Sequence, residues 1–287
     1  MHGRTLYRTF CALPLLLAGV AGCANSSAAP PCRSASRFDA EAAGCIEGRV
    51  IWAGEPPRVA PYPYQFPPGL GDSASASLRG NPFAPAIDQY SQGVADAVVY
   101  LRDVDPSKAR PWDLPPVTVE QRDLQLHVFQ GSCDGRIGFV RRGDAVEMIS
   151  RDQRHHCLRA QGTTWFSLAF PDPDEPLARP LAHAGVVELT SGAGYYWMRA
   201  YLLVDDHPYY ARTDAEGRFV LLQVPPGQYE IACWLPNWRE SGHDRDPETG
   251  RVTRLGFASP ITAKRSVELG PRQTPQVRFV LSASDFN

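Results

Sequence analysis

No stretch of this chain sustains the apolar spacing of an amphipathic helix for more than about two turns. What recurs is a short alternating or β-branched run closed by glycine or proline. Cys45 to Trp52 (CIEGRVIW), Ala95 to Leu101 (ADAVVYL), Val117 to Phe129, Thr164 to Phe170, Gly185 to Leu189, Tyr196 to Val204 and Gln276 to Leu281 have this form. Shorter runs, Gly138 to Val140 and Ala145 to Ser150, flank a turn at Arg141 to Asp144. With 27 prolines and 24 glycines in 287 residues, breaks come too often for long helices and often enough to separate many strands. The chain is expected to be all-β, built as sandwiches, and long enough for two domains. Two stretches fit no strand. Arg58 to Gly93 is rich in proline and aromatics and predicts an irregular excursion packed on the sandwich, an interaction loop being the alternative. Arg239 to Thr262 is polar and predicts a loop.

The N-terminus reads as an address. Arg4 and Arg8 precede a short apolar run, Cys11 to Val20, which is too short to span a bilayer as a mature helix. It ends in Val20-Ala21-Gly22-Cys23, which resembles the bacterial lipobox. The resemblance implies a signal peptide over residues 1–22, a lipidated Cys23 as the membrane anchor, and a tether over 23–44. The alternative is an ordinary secretory leader with an incidental cysteine. Ala24 after the cysteine resembles the sorting pattern for the outer membrane of enteric bacteria. The chain is therefore expected in the bacterial cell envelope, facing the periplasm or the surface. It holds 29 basic and 31 acidic residues, and the leader removes only bases. An acidic mature chain is not expected to bind nucleic acid, which needs a basic stripe. The expected partners are the membrane, through Cys23, and an envelope protein or glycan.

Five cysteines remain beyond Cys11 and Cys23 in an oxidising compartment. Cys32 with Cys45, and Cys133 with Cys157, are the candidate disulfide pairs, although the sequence leaves connectivity open. Cys233 shares a face with Tyr229 and Ile231 and is expected as a buried thiol.

Thr213-Asp214-Ala215-Glu216-Gly217-Arg218-Phe219, followed by Val224-Pro225-Pro226-Gly227-Gln228-Tyr229, resembles the carboxypeptidase regulatory-like family, a transthyretin-like β-sandwich. Independently of the family, Asp214 is suited to cap a tight hairpin and Gly217 to supply a positive φ. Pro226-Gly227 suits the centre of a type II turn. The family's opening strands correspond to Gly48-Arg49-Val50 and Ala97-Val98-Val99-Tyr100-Leu101, far upstream. The resemblance implies one discontinuous sandwich, residues 45–104 and 206–282, with residues 115–205 inserted. Ala200 to Val204 is expected to be the strand shared at the return.

The insert resembles a cupredoxin, a Greek-key sandwich that usually holds copper through two histidines, a cysteine thiolate and a methionine. Where similar chains carry C-x-x-H-P-W-M, this one reads Gly192-Ala193-Gly194-Tyr195-Tyr196-Trp197-Met198. Tryptophan and methionine are kept; glycine and tyrosine replace the cysteine and histidine. The resemblance leaves His127, His156 and Met198 as candidates for a degenerate copper site. Without the thiolate a blue centre is not expected. Copper through a non-standard His/Met set is the alternative to no cofactor. The alternating acids Asp244, Asp246 and Glu248 lack the rest of a calcium-loop pattern. No P-loop, nucleophile elbow or H-E-x-x-H is present. The expectation is a lipid-anchored envelope protein with a binding or structural role, not an enzyme.

Overall fold

A computed structural model describes residues 38–64, 77–248, 250 and 252–286. In chain order the strands are β1 (Gly44–Trp52), β2 (Tyr62–Tyr64), β3 (Ser77–Arg79), β4 (Val98–Arg102), β5 (Val117–Arg122), β6 (Gln125–Gln130) and β7 (Cys133–Gly135). Next come β8 (Ile137–Arg141), β9 (Ala145–Ser150), β10 (His156–Gly162), β11 (Phe166–Phe170), β12 (Leu177–Pro180), β13 (Gly185–Ser191) and β14 (Arg199–Asp205). The remainder are β15 (Tyr210–Arg212), β16 (Arg218–Val224), β17 (Gly227–Leu235), β18 (Glu240–Arg245), β19 (Val252–Phe257), β20 (Ile261–Leu269) and β21 (Gln276–Leu281), before a 3₁₀ turn at Ala283–Phe286. The all-β class expected from the sequence is what is found. No helix among the described residues is long and apolar enough to cross a membrane. Cys23, Cys32 and the leader lie outside the described residues, as does part of the 58–93 stretch.

Alternation decides how these strands stack. In β1 every second residue is buried, so Ile46, Val50 and Trp52 line one face. β1 sits between β16, antiparallel, and β21, parallel. A four-stranded sheet, β15-β4-β17-β20, shares a core with this three-stranded sheet. Two five-stranded sheets, β11-β10-β13-β14-β8 and β12-β9-β5-β6-β7, enclose a second core.

β14 is buried on both faces. Tyr201 and Leu203 belong to the first core, while Ala200, Leu202 and Val204 belong to the second. Its neighbour β8 divides likewise, with Ile137 and Phe139 on one side and Val140 on the other. Tyr201 meets Trp234 of β17 edge-on at 5.1 Å and Phe83 at 5.6 Å. Such aromatic pairs add about 0.5–1.5 kcal/mol each beyond their buried area. The strand expected to be shared is thus shared between cores rather than sheets, since β14 hydrogen-bonds only to β13 and β8.

Several boundaries differ from the sequence expectation. Val117 to Phe129 is a hairpin rather than one strand. Asp123 and Leu124 take φ of 52° and 56°, the left-handed pair of a type I′ turn. The inward positions change phase across the turn, from Val117, Val119 and Gln121 to Leu124, Leu126 and Val128, and Asp123-Leu124 carries none of the glycine or asparagine that ordinarily marks such a turn. Pro226-Gly227 is not a type II turn, because Gly227 opens β17 with a strand backbone. The left-handed residue nearby is Gln223 (φ 54°), at a bulge where the β1–β16 register shifts. The polar stretch 239–262 is not a loop but the hairpin β18–β19 and the start of β20. In the 58–93 stretch Phe83 packs into the first core, whereas Tyr90 is 96% exposed.

The turn preceding β16 has the form expected of it. The Asp214 carboxylate accepts the backbone N–H groups of Glu216 and Arg218 at 3.0 and 2.7 Å, and Gly217 takes φ 77°.

The Cys133–Cys157 disulfide is not formed. Cys133 lies exposed on the edge strand β7 of one sheet. Cys157 lies in the other sheet, and its Sγ is 3.1 Å from the Ser167 hydroxyl. Cys45 is also a free thiol here. Cys233 is fully buried, as expected, and burial raises its pKa to about 12. Because the thiolate is the nucleophile, maleimide is expected to label Cys133 in the native protein and to reach Cys233 only in denaturant. Mass mapping of labelled peptides checks this; a native Cys133 that resists labelling until reductant is added contradicts the free-thiol arrangement.

Candidate functional site

The residues picked out by the resemblance fall into two separate places. His127 is on the outer face of β6, opposite in direction to buried Leu126 and Val128. Its Nδ1 is 3.1 Å from the Asp134 carboxylate on β7, and its ring stacks with Phe129 at 6.1 Å. His156 begins β10 and points inward with Leu158 and Ala160, fully buried. Met198 is fully buried in the same core. His127 is therefore not brought to His156; a whole sheet face separates them.

Around His156 the structure builds a closed end to the second sandwich. Its Nε2 is 2.9 Å from Oδ2 of Asp152. The same carboxylate accepts the backbone N–H groups of Asp123 and Leu124 at 2.8 and 3.0 Å, holding the β5–β6 turn. From the other side the Trp197 indole N–H donates to the Leu124 carbonyl at 2.7 Å. Residues Tyr195 to Met198 themselves form a turn rather than the start of a strand, with the Met198 N–H donating to the Tyr195 carbonyl at 2.9 Å. Tyr195 is fully buried, with its ring 5.2 Å from His156.

Burial lowers the His156 pKa, partly opposed by the bond and charge of Asp152. A neutral ring facing a carboxylate carries its proton on Nε2, leaving a bare Nδ1 lone pair; that atom is buried without a hydrogen-bond partner. His207 is also buried, and its pKa is lowered chiefly by that burial. Between the lowered folded value and about 6.5 the unfolded chain binds more protons, so stability is full above that window and is lost as pH falls through it. Denaturant titration at pH 7.5, 6.5 and 5.5 is expected to show falling stability, at up to about 1.4 kcal/mol per pH unit for each histidine. His156→Gln is expected to flatten that slope without abolishing it, His207 supplying the rest. An unchanged slope contradicts the buried neutral imidazole.

Copper does not fit this donor set. Gly192, at the thiolate position, lies against Cys157: its N–H donates to the Cys157 carbonyl at 2.6 Å, and a Cβ added there would lie 2.8 Å from the Cys157 Sγ. The two positions thus compete for the same space. Cys157 itself faces away from His156, beside Ser167. Among the described residues no three His, Cys, Asp or Glu side chains are grouped to hold a metal ion, including Asp244, Asp246 and Glu248.

No family model and no curated protein matches the chain. Among solved structures, a copper-containing nitrite reductase from Thermus scotoductus SA-01 is similar over 36% of this chain and 25% of its own, at 15% identity and a TM-score of 0.26. A Cu(I) variant of amicyanin is similar over 37% of this chain and 97% of its own, at 13% identity and a TM-score of 0.25. The described strands themselves establish the all-β class.

A second site was not legible as a motif. The outer face of β10-β13-β14, away from the second core, carries Arg159, Thr190 and Arg199 as direct cross-strand neighbours. The hairpin β18–β19 roofs this face, with Val252 and Leu255 packed toward the second core. Between roof and sheet lies a polar cleft of about 500 Å³. Arg159, Arg199 and Arg254 come singly from three strands far apart in sequence, and each resembles part of any solvated face until the roof is seen.

Proposed function

We propose that this chain is a non-catalytic binding protein of the bacterial cell envelope, anchored by lipid on Cys23 and carried in the outer membrane. In this reading residues 45–104 and 206–282 form a regulatory-like sandwich and residues 115–205 an inserted cupredoxin-like one. One observation carries the binding role. The end of the second sandwich, where the resemblance places copper, is closed by the His156–Asp152–Leu124–Trp197 bonds, whereas an open polar cleft lies on its outer sheet. A histidine that is fully buried and tied through its Nε2 to a carboxylate that braces a turn suits packing better than turnover. The hairpin segment within 239–262 and the 58–93 excursion are the recognition surfaces in this reading, as connecting segments commonly are.

Labelling with palmitate in cells tests the anchor. Incorporation abolished by Cys23→Ala is expected; equal incorporation in both sinks it. Copper analysis of the full chain tests the site. About one tightly held copper per chain, lost in His156→Gln and Met198→Leu, would replace the binding role by the alternative, a His/Met copper centre.

A further inference from the structure

We infer that the cleft beneath the β18–β19 hairpin is a binding site for a small anionic saccharide of the hexuronate type; this rests on the binding-protein reading and names its ligand. The first support is charge. Arg159 comes from the floor and Arg254 from the roof, and among the described residues neither has a carboxylate within ion-pairing distance. Arg199 lies beside them on the floor, only 6% exposed. Two acids line the cleft. Glu188 is committed to Arg199, its Oε1 2.6 Å from Nε, and Asp244 stands on the roof. Three guanidinium groups against two carboxylates leave the cleft one positive charge in excess.

The second support is an unmet donor. Arg199 is held by Glu188 and the Tyr201 hydroxyl and lies against the Phe257 ring at 4.0 Å, yet its Nη1 is buried with no partner. A guanidinium buried to this degree ordinarily has its donors satisfied. An orphaned N–H beside two unpaired arginines is the donor pattern of a carboxylate site, where the planar fork matches two oxygens.

The third support is the rest of the lining. Thr190, Thr253 and Gln161 offer hydroxyl and amide groups that donate and accept, as a polyhydroxylated ring requires. The volume falls within the range of about 300–1,000 Å³ typical of small-molecule sites. A lipid chain would find little apolar wall in such a cleft.

Calorimetric titration of the full-length chain in detergent, using D-glucuronate, D-glucose and inorganic phosphate, tests the inference. Glucuronate is expected to bind, with glucose weaker by about tenfold or more because the carboxylate contacts are missing. Arg159→Ala and Arg254→Ala are each expected to weaken glucuronate by about tenfold while leaving the melting temperature unchanged, since both side chains are at the cleft and outside the cores. Absence of binding, equal affinity for glucose, phosphate binding as tightly as glucuronate, or indifference to both substitutions overturns it. Failure here with lipid on Cys23 and no copper removes the saccharide site alone. Loss of lipidation instead removes the envelope reading while the titration stands.

Discussion

Gly217→Val is expected to lower the stability of the protein by about 3 kcal/mol or more and its melting temperature by about 6–12 °C. Two costs combine. A β-branched residue at φ 77° is strained by about 1–2 kcal/mol. The larger cost is space. A Cβ there would lie 2.2 Å from the Val50 carbonyl oxygen and 2.9 Å from the backbone of Gly93 and Val94. That carbonyl accepts the Val94 N–H at 3.0 Å, and the Val50 N–H donates to Gly217 at 2.8 Å. Three chain segments therefore meet at one point with no room for a side chain. Gly54→Val separates the two costs, because Gly54 has φ 86° and nothing within 4 Å of its Cβ position. It is expected to lose only the backbone strain, about 1–2 kcal/mol. Equal losses for the two variants, by thermal or denaturant unfolding, would refute the close-approach argument.

Phe286→Ala is expected to cost about 3–5 kcal/mol, the range for deleting a buried phenylalanine ring, and to lower the melting temperature by about 10 °C. The 3₁₀ turn at Ala283–Phe286 puts this ring at zero exposure against Trp238, with centroids 4.0 Å apart, and Trp52 at 5.9 Å. The Asn237 side-chain amide also reaches the Phe286 carbonyl at 3.4 Å, and the Asp285 carboxylate accepts the Ser282 N–H at 2.6 Å, so the turn is fixed on both sides. Because two indoles border the cavity left behind, tryptophan fluorescence is expected to shift to the red in the folded variant. A variant with unchanged melting temperature and emission would mean that the turn does not seal the core.

The fold class was legible because alternation and frequent breaks are local properties. Gln276–Leu281 and the Asp214–Gly217 turn needed nothing beyond their own residues. What escaped depended on partners distant in sequence. The strand β10 was hidden because His156, Cys157 and Arg159 share it with Leu158 and Ala160, so its period looks polar. In the hairpin β18–β19 the first strand is exposed along its whole length and the second is at most half-buried, so no fully buried face announces it. For the candidate site, the sequence identified the missing thiolate at Gly192, but not that Cys157 fills the space beside it. Nor did spacing show that His127 and His156 face different ways, because sheet membership is a long-range property. The floor of the saccharide cleft joins residues from three strands and its roof a fourth and fifth, and no local pattern records that assembly.

The two-sided burial of β14 and β8 has a consequence for how the chain can be cut and rearranged. An ordinary inserted module can be transplanted as a cassette, because its outer surface is already suited to water. Here excision of residues 115–205 would bare Ile137, Phe139, Tyr201 and Leu203 along one continuous strip and leave Trp234 and Phe83 uncovered in the remainder. Both fragments would carry a sticky apolar strip of the kind that drives association. The sandwiches are therefore coupled in unfolding, and calorimetry should record one cooperative melting event rather than two. A chain with this layout cannot exchange one sandwich without redesigning the other.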